Sequence, residues 1–189
     1  MKSIKKIVVI GPESTGKSTL CQKLAAHYNT LWVPEYAREY LEKNGSEYSY
    51  DDLLTIAKGQ IDLETKITSE LYNSLKNNSN NTLPDLPILF IDTDMYVMKV
   101  WAEFVYNQCH NWILNRIAER KYDLYFLCDI DLPWVEDKLR EYPDQKIREK
   151  LYYFYKELLV NQSTPWCNIS GNYEERFEKA TRFIEQSFS

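Results

Sequence analysis

A chain of 189 residues, 44% of them hydrophobic, suffices for one globular domain with its own core, or one domain with a small lid. Its formal charge of −5 argues against sequence-independent binding to nucleic acid, whose phosphates select basic faces. No apolar run approaches transmembrane length and the start at Met1–Lys6 carries no signal-peptide core, so a cytoplasmic protein without membrane partners is expected.

Residues Ile4–Ile10 predict a buried strand, because Ile7, Val8, Val9 and Ile10 are consecutive and β-branched. It ends at Gly11, and from Lys17 the period changes: Leu20, Leu24, Ala25 and Tyr28 recur at helical spacing. Leu31-Trp32-Val33 predicts a second short strand stopped by Pro34, and Glu35–Lys43 a helix ended by Asn44-Gly45. Asp51-Asp52 caps a long helix reaching Leu75. The asparagine-rich stretch 76–87 reads as an exposed loop inside the domain. Ile88–Ile91 is a third strand closed by Asp92, followed by helices over Asp94–Tyr106 and Asn111–Arg120. Tyr122–Cys128 is a fourth strand, and a loop rich in Asp, Pro and Arg precedes a helix over Gln145–Asn161. Pro165–Ile169 makes a last short strand before a final helix that follows Gly171 and runs to Gln186. Near-continuously apolar strands alternating with helices predict an α/β fold, its mainly parallel, five-stranded sheet covered on both faces. The four cysteines are scattered and His27 and His110 stand alone, so no metal site is expected from them.

Gly11-Pro-Glu-Ser-Thr-Gly-Lys-Ser18 matches the Walker A phosphate-loop pattern, between a buried strand and a helix. Its glycines allow backbone angles forbidden to other residues, so successive N–H groups turn inward around an anion. The following helix aims its positive dipole end at the same place. The pattern predicts a three-layer P-loop NTPase fold that binds ATP through Gly11, Glu13, Ser14, Thr15, Gly16, Lys17, Ser18 and Thr19. Lys17 reaches the β/γ oxygens, and the Ser18 hydroxyl is a ligand for Mg²⁺.

A strand-end carboxylate commonly completes that metal site, and Ile88-Leu-Phe-Ile-Asp92 has the form. Asp94, two residues on, is assigned to the substrate hydroxyls, in the crevice at the strands' C-terminal ends where open α/β sheets bind ligands. Either aspartate also suits a simple helix cap. Glu35, after the second strand, is the candidate general base for an alcohol, with first-turn dipole compensation as the bland alternative. Arg38, one turn further, either faces the transferred group or pairs with Glu35. The segment 129–145 reads as an arginine-bearing lid, with Arg140 and Arg148 directed to phosphate. A pairing of Arg140 with Glu136 alone, four residues earlier, is the structural alternative.

With these segments in place, the chain resembles the nicotinamide riboside kinase domain of the bacterial NadR-type proteins. Four segments carry the likeness, in the family's order: Gly-Pro-Glu-Ser-Thr-Gly-Lys-Ser-Thr-Leu, Val33-Pro-Glu-Tyr-Ala-Arg-Glu-Tyr40, Phe90-Ile-Asp-Thr-Asp94 and Trp134-Val-Glu-Asp-Lys-Leu-Arg140. The resemblance implies a nucleoside-kinase-like fold spanning 1–189, with ATP and Mg²⁺ as cofactors. It implies transfer of the γ-phosphate to the 5′-hydroxyl of nicotinamide riboside, giving nicotinamide mononucleotide. Members of that family can carry a Trp where Pro34 stands here, and Trp32 lies two residues upstream. Tyr36, Tyr96, Trp101 and Trp134 therefore remain as candidate platforms for the substrate ring, with a core position as the more ordinary reading of the first three and an equal one for Trp134. The resemblance begins at the kinase's first strand, so the adenylyltransferase and DNA-binding parts of NadR proteins are not expected of this chain.

Deoxyribonucleoside and nucleoside-monophosphate kinases share such a fold. The deoxyribonucleoside kinases usually show a Glu-Arg-Ser-type segment after the third strand, where Asp92-Thr93-Asp94 stands here. A nucleotide-sensing switch is the alternative of another class. The guanine-reading Asn-Lys-x-Asp and the ABC-type Leu-Ser-Gly-Gly segments are absent, and AAA-type machines call for a longer chain with a helical lid domain.

Overall fold

The computed structural model describes residues 3–77 and 86–189. Five parallel strands form one sheet: β1 (Lys5–Ile10), β2 (Trp32–Val33), β3 (Ile88–Asp92), β4 (Leu124–Cys128) and β5 (Trp166–Ile169). Their spatial order is β2-β3-β1-β4-β5. The helices are α1 (Lys17–His27), α2 (Tyr36–Asn44), α3 (Tyr50–Asn77), α4 (Met95–Tyr106), α5 (Asn111–Glu119), α6 (Gln145–Val160) and α7 (Tyr173–Phe188). The predicted fold class is therefore observed, with element ends displaced by one or two residues. Most of the stretch read as an exposed loop, 78–85, lies outside the described residues.

The unbroken apolar strands have the cause expected of a sheet covered twice. In β1, Ile7 and Val9 join Leu20, Leu24, Phe90 and Phe126 in a core closed by Ala180 and Ile184 of α7. Val8 and Ile10 point the other way, to Leu89, Ile91, Leu127, Leu151 and Tyr155. All four β1 side chains are fully buried, each worth about 1.5–3 kcal/mol relative to exposure. A third cluster, around Leu53, Ile56, Met95, Met98 and Ile113, packs α2 to α5 against one another.

Strand order then aligns the chemistry. Val9 of β1 pairs with Asp92 of β3, and Val33 of β2 with Ile91, so Glu35, Asp92 and the loop after Ile10 leave the sheet along one edge. The segment after Cys128 leaves the same edge on the other side of β1.

Helix starts divide into two kinds. Asp94 accepts the Tyr96 N–H, Asp144 the Ile147 N–H, and Asn172 with Glu175 forms a reciprocal capping box on α7. Gly16 and Glu35, which open α1 and α2, supply no side-chain cap. At α1 the amides keep their hydrogen-bonding capacity and partial positive charge for another acceptor, whereas at α2 the Tyr36 N–H is taken by a side chain of α3, Gln60 Oε1.

Candidate functional site

The starts of α1 and α2 face one cavity of about 300 Å³. Residues Gly11–Thr19 form its floor, and Glu35, Ala37 and Arg38 one side. Val97, Trp101 and Phe104 of α4 make an apolar wall. Leu139, Arg140, Glu141 and Tyr142, from the segment between β4 and α6, form the roof.

The floor depends on its glycines. Gly11 has φ +143°, and a Cβ there would meet the Cys128 carbonyl at 2.8 Å. Gly16 has φ +77°, with Leu132 and Tyr173 3.0 and 3.2 Å from the Cβ it lacks. Ser14 also takes a positive φ, 57°, a cost that a surrounding structure must offset. The Thr15 hydroxyl and the Lys17 ammonium both donate to the Pro12 carbonyl, at 2.7 and 3.0 Å. From beneath, the buried Arg176 of α7 donates to the carbonyls of Thr15, Asp129 and Gly171 and pairs with Asp131. It ties the loop to the root of the roof segment.

Ser18 donates to Asp92 Oδ2 at 2.5 Å. Asp92 is fully buried, its Oδ1 has no hydrogen-bond partner among the described residues, and burial followed by the charge of Glu35 pushes its carboxyl up to about 7. A buried, half-unpaired carboxylate beside a serine hydroxyl fits a divalent cation, whose remaining oxygen ligands would be phosphates and waters. No cluster of three or more His, Cys, Asp or Glu suited to a metal occurs among the described residues.

Asp94 has a different fate. Thr93 between the two aspartates takes φ 78°, and the backbone turns there. Asp94 Oδ1 caps α4, its Oδ2 accepts the Tyr125 hydroxyl at 2.8 Å, and burial pushes its carboxyl up to about 6. It does not line the cavity, which corrects its assignment to substrate hydroxyls.

Tyr36 is likewise turned away. Its ring packs on Gly59 of α3, and its N–H donates to Gln60 Oε1 at 2.7 Å. Gln60, fully buried, also donates to the carbonyls of Pro34 at 3.3 Å and Asp92 at 3.4 Å. One amide therefore cross-links the ends of β2 and β3 and positions Glu35, a role no local pattern announces.

The roof is fastened on two sides. Glu13 accepts the N–H groups of Glu141 and Tyr142, at 2.9 and 3.1 Å, so its carboxylate serves the roof rather than a phosphate; burial raises its carboxyl above the usual range. Ser14 Oγ accepts the Val135 N–H at 2.9 Å and Arg140 Nη1 at 3.3 Å. Across the cavity Arg38 donates to Asp137 at 2.6 Å, and Tyr48 to Glu141 at 2.9 Å. Arg38 thus pairs with the roof, not with Glu35. Arg140 bonds Ser14 and the Val135 carbonyl instead of Glu136.

Trp134 and Arg148 do not line the cavity, against their assignments to substrate ring and phosphate. Tyr96 packs on Tyr125, 5.6 Å between ring centroids, away from the site. Of the four candidate platforms, Trp101 alone lines the cavity; its indole N–H donates to the Tyr48 hydroxyl at 2.8 Å. Phe104, Tyr142, Tyr155 and Tyr173 complete the aromatic lining, and no sequence pattern marks them as such. Val97, Trp101 and Phe104 recur at helical spacing, a signal identical to that of a core stripe.

A family model described as AAA domain matches residues 6–176. The proteins called "Trifunctional NAD biosynthesis/regulator protein NadR" from Salmonella typhimurium and Escherichia coli are 25% and 26% identical over 97% of this chain. The chain spans 42% of the length of those curated relatives. Crystal structures of NadR protein in complex with NR, and with NAD and AMP-PNP, superpose with TM-scores of 0.69 and 0.70 at 23% identity. They match 97% of this chain and 49% of theirs. A thymidylate kinase from Ehrlichia chaffeensis, 12% identical and covered in full, gives 0.63.

Proposed function

From a chain that belongs to the AAA domain family, matched over residues 6–176, we propose a kinase that transfers the ATP γ-phosphate to the 5′-hydroxyl of a nucleoside, nicotinamide riboside first among them. Membership also withdraws chain length as a criterion against AAA proteins, because the match falls on the phosphate-loop domain itself. The observation that carries the proposal is one cavity in which the phosphate loop, Glu35 and Arg140 converge beside an apolar wall. A phosphate loop alone suits any NTPase. A carboxylate and an aromatic side wall across from it suit a second, ring-bearing substrate with a hydroxyl.

In this reading the amides of Gly11–Ser18 and the Lys17 ammonium hold the triphosphate. Ser18 and Asp92 hold Mg²⁺, which neutralises phosphate charge when bound. Glu35 orients the hydroxyl and takes its proton as the oxygen attacks the γ-phosphorus, while the bond to the β,γ-bridging oxygen breaks and ADP leaves. Arg140 stabilises charge on the transferred group. The segment 129–145 acts as the lid of a single kinase domain and excludes water. Trp101 and Phe104 flank the base. The similarity to NadR proteins, one seen with NR and one with NAD and AMP-PNP, supports this choice of substrates.

The test is ADP release measured with ATP·Mg²⁺ and a panel of nucleosides. Turnover dependent on nicotinamide riboside is expected, and it should vanish in a folded Lys17→Ala variant. Slow hydrolysis indifferent to every nucleoside would mean a nucleotide switch instead.

A further inference from the structure

Trp134 is half-buried in the segment between β4 and α6, outside the cavity, yet two cationic side chains converge on it. The Arg140 guanidinium carbon lies 5.9 Å from the ring centroid and that of Arg148 lies 5.5 Å from it. Both distances fall within the range of cation–π attraction. Arg140 lines the cavity and is bonded to Ser14 of the phosphate loop. Arg148, from the first turn of α6, is buried, and its Nε and Nη2 have no hydrogen-bond partner among the described residues.

Two like charges in one place repel, and a buried guanidinium with unused donors costs free energy unless something compensates. The indole supplies part of that compensation through its negative face. The flanking backbone supplies rigidity, since the Val135 N–H is held by Ser14 and the Val135 carbonyl accepts from Arg140. A ring that merely filled a gap would need no cation near it.

We propose that Trp134 is a positioning residue. Its indole holds Arg140 at the mouth of the phosphate loop and keeps Arg148, buried beside it, within charge range of the same polyanion. This deepens the nucleotide reading above and rests on it. Trp134 touches neither substrate; it acts through the two arginines.

The experiment compares wild type, Trp134→Leu, Trp134→Phe, Arg148→Met and the Trp134→Leu/Arg148→Met double variant. It reads calorimetric affinity for AMP-PNP·Mg²⁺ together with kcat and both KM values. Loss of two cation–π contacts should weaken AMP-PNP about tenfold. kcat should fall with it, while KM for the nucleoside stays within about twofold of wild type. The phenylalanine variant should recover most of the loss, and the leucine effect should shrink when Arg148 is already methionine. If the leucine variant does not fold, Trp134→Met fills the space without a π face and carries the same comparison. Wild-type affinity in the leucine variant, or equal losses in the leucine and phenylalanine variants, overturns the inference alone. Failure of the wild type to bind AMP-PNP overturns the nucleotide reading and this inference with it.

Discussion

The Ser18 hydroxyl donates to Asp92 Oδ2 across 74 residues of sequence, joining the start of α1 to the end of β3 at a fully buried carboxyl. That carboxyl is pushed up to about 7, first by burial and then by Glu35. A cation site needs the ionised form. Transfer should therefore rise with pH through about 7 when magnesium is scarce, and the midpoint should move to lower pH as magnesium increases, because metal and proton compete. pH–rate profiles at two magnesium concentrations measure this. A midpoint indifferent to magnesium would remove Asp92 from the metal site.

Glu35 sits at the uncapped start of α2 and lines the cavity. Glu35→Gln keeps shape and polarity but cannot accept the proton, so kcat should fall by roughly two to four orders of magnitude. KM for ATP should barely change. An unaltered kcat would reduce Glu35 to a charge at a helix terminus.

Glu13 holds the roof through two amides. Glu13→Ala leaves the N–H groups of Glu141 and Tyr142 without their acceptor, and bonds to a charged group contribute about 1.5–3 kcal/mol each. Amide hydrogen exchange at those two residues should accelerate at least about tenfold, with a matching rise in KM for ATP. Unchanged exchange would mean that the roof is held elsewhere, by Ser14 or by Arg38 with Asp137.

Gly59 lies inside α3, where alanine normally stabilises a helix by up to about 1 kcal/mol. A Cβ there would stand 2.0 Å from Tyr36 Cε1. Gly59→Ala should therefore destabilise by about 1–3 kcal/mol and lower Tm by several degrees in calorimetry. It should also reduce kcat, because Tyr36 adjoins Glu35. A gain in Tm would show that the ring yields freely.

Much of the scaffold was legible in the chain. The strand-to-helix change at Gly11–Lys17 and the apolar runs at Ile7–Ile10 and Ile88–Ile91 are periods of two and 3.6 residues, or their absence, within a dozen positions. The phosphate loop is equally local, since its shape depends on glycines spaced for positive φ. Asp92 and Asp94 were not separable in this way. Both follow one apolar strand, and the turn at Thr93 sends one to Ser18 and the other to the cap of α4.

Side-chain partners fell outside that local information for a physical reason. Whether Arg38 meets Glu35 or Asp137, and whether Trp134 faces a ligand or two arginines, depends on which strands are neighbours and how the segment after Cys128 folds back. Gln60 and Arg176 read as ordinary helix residues until α3 and α7 pack on the sheet and turn them inward. Backbone preference acts over one or two turns of chain. Contacts between residues some hundred positions apart exist only once the strands have taken the order β2-β3-β1-β4-β5.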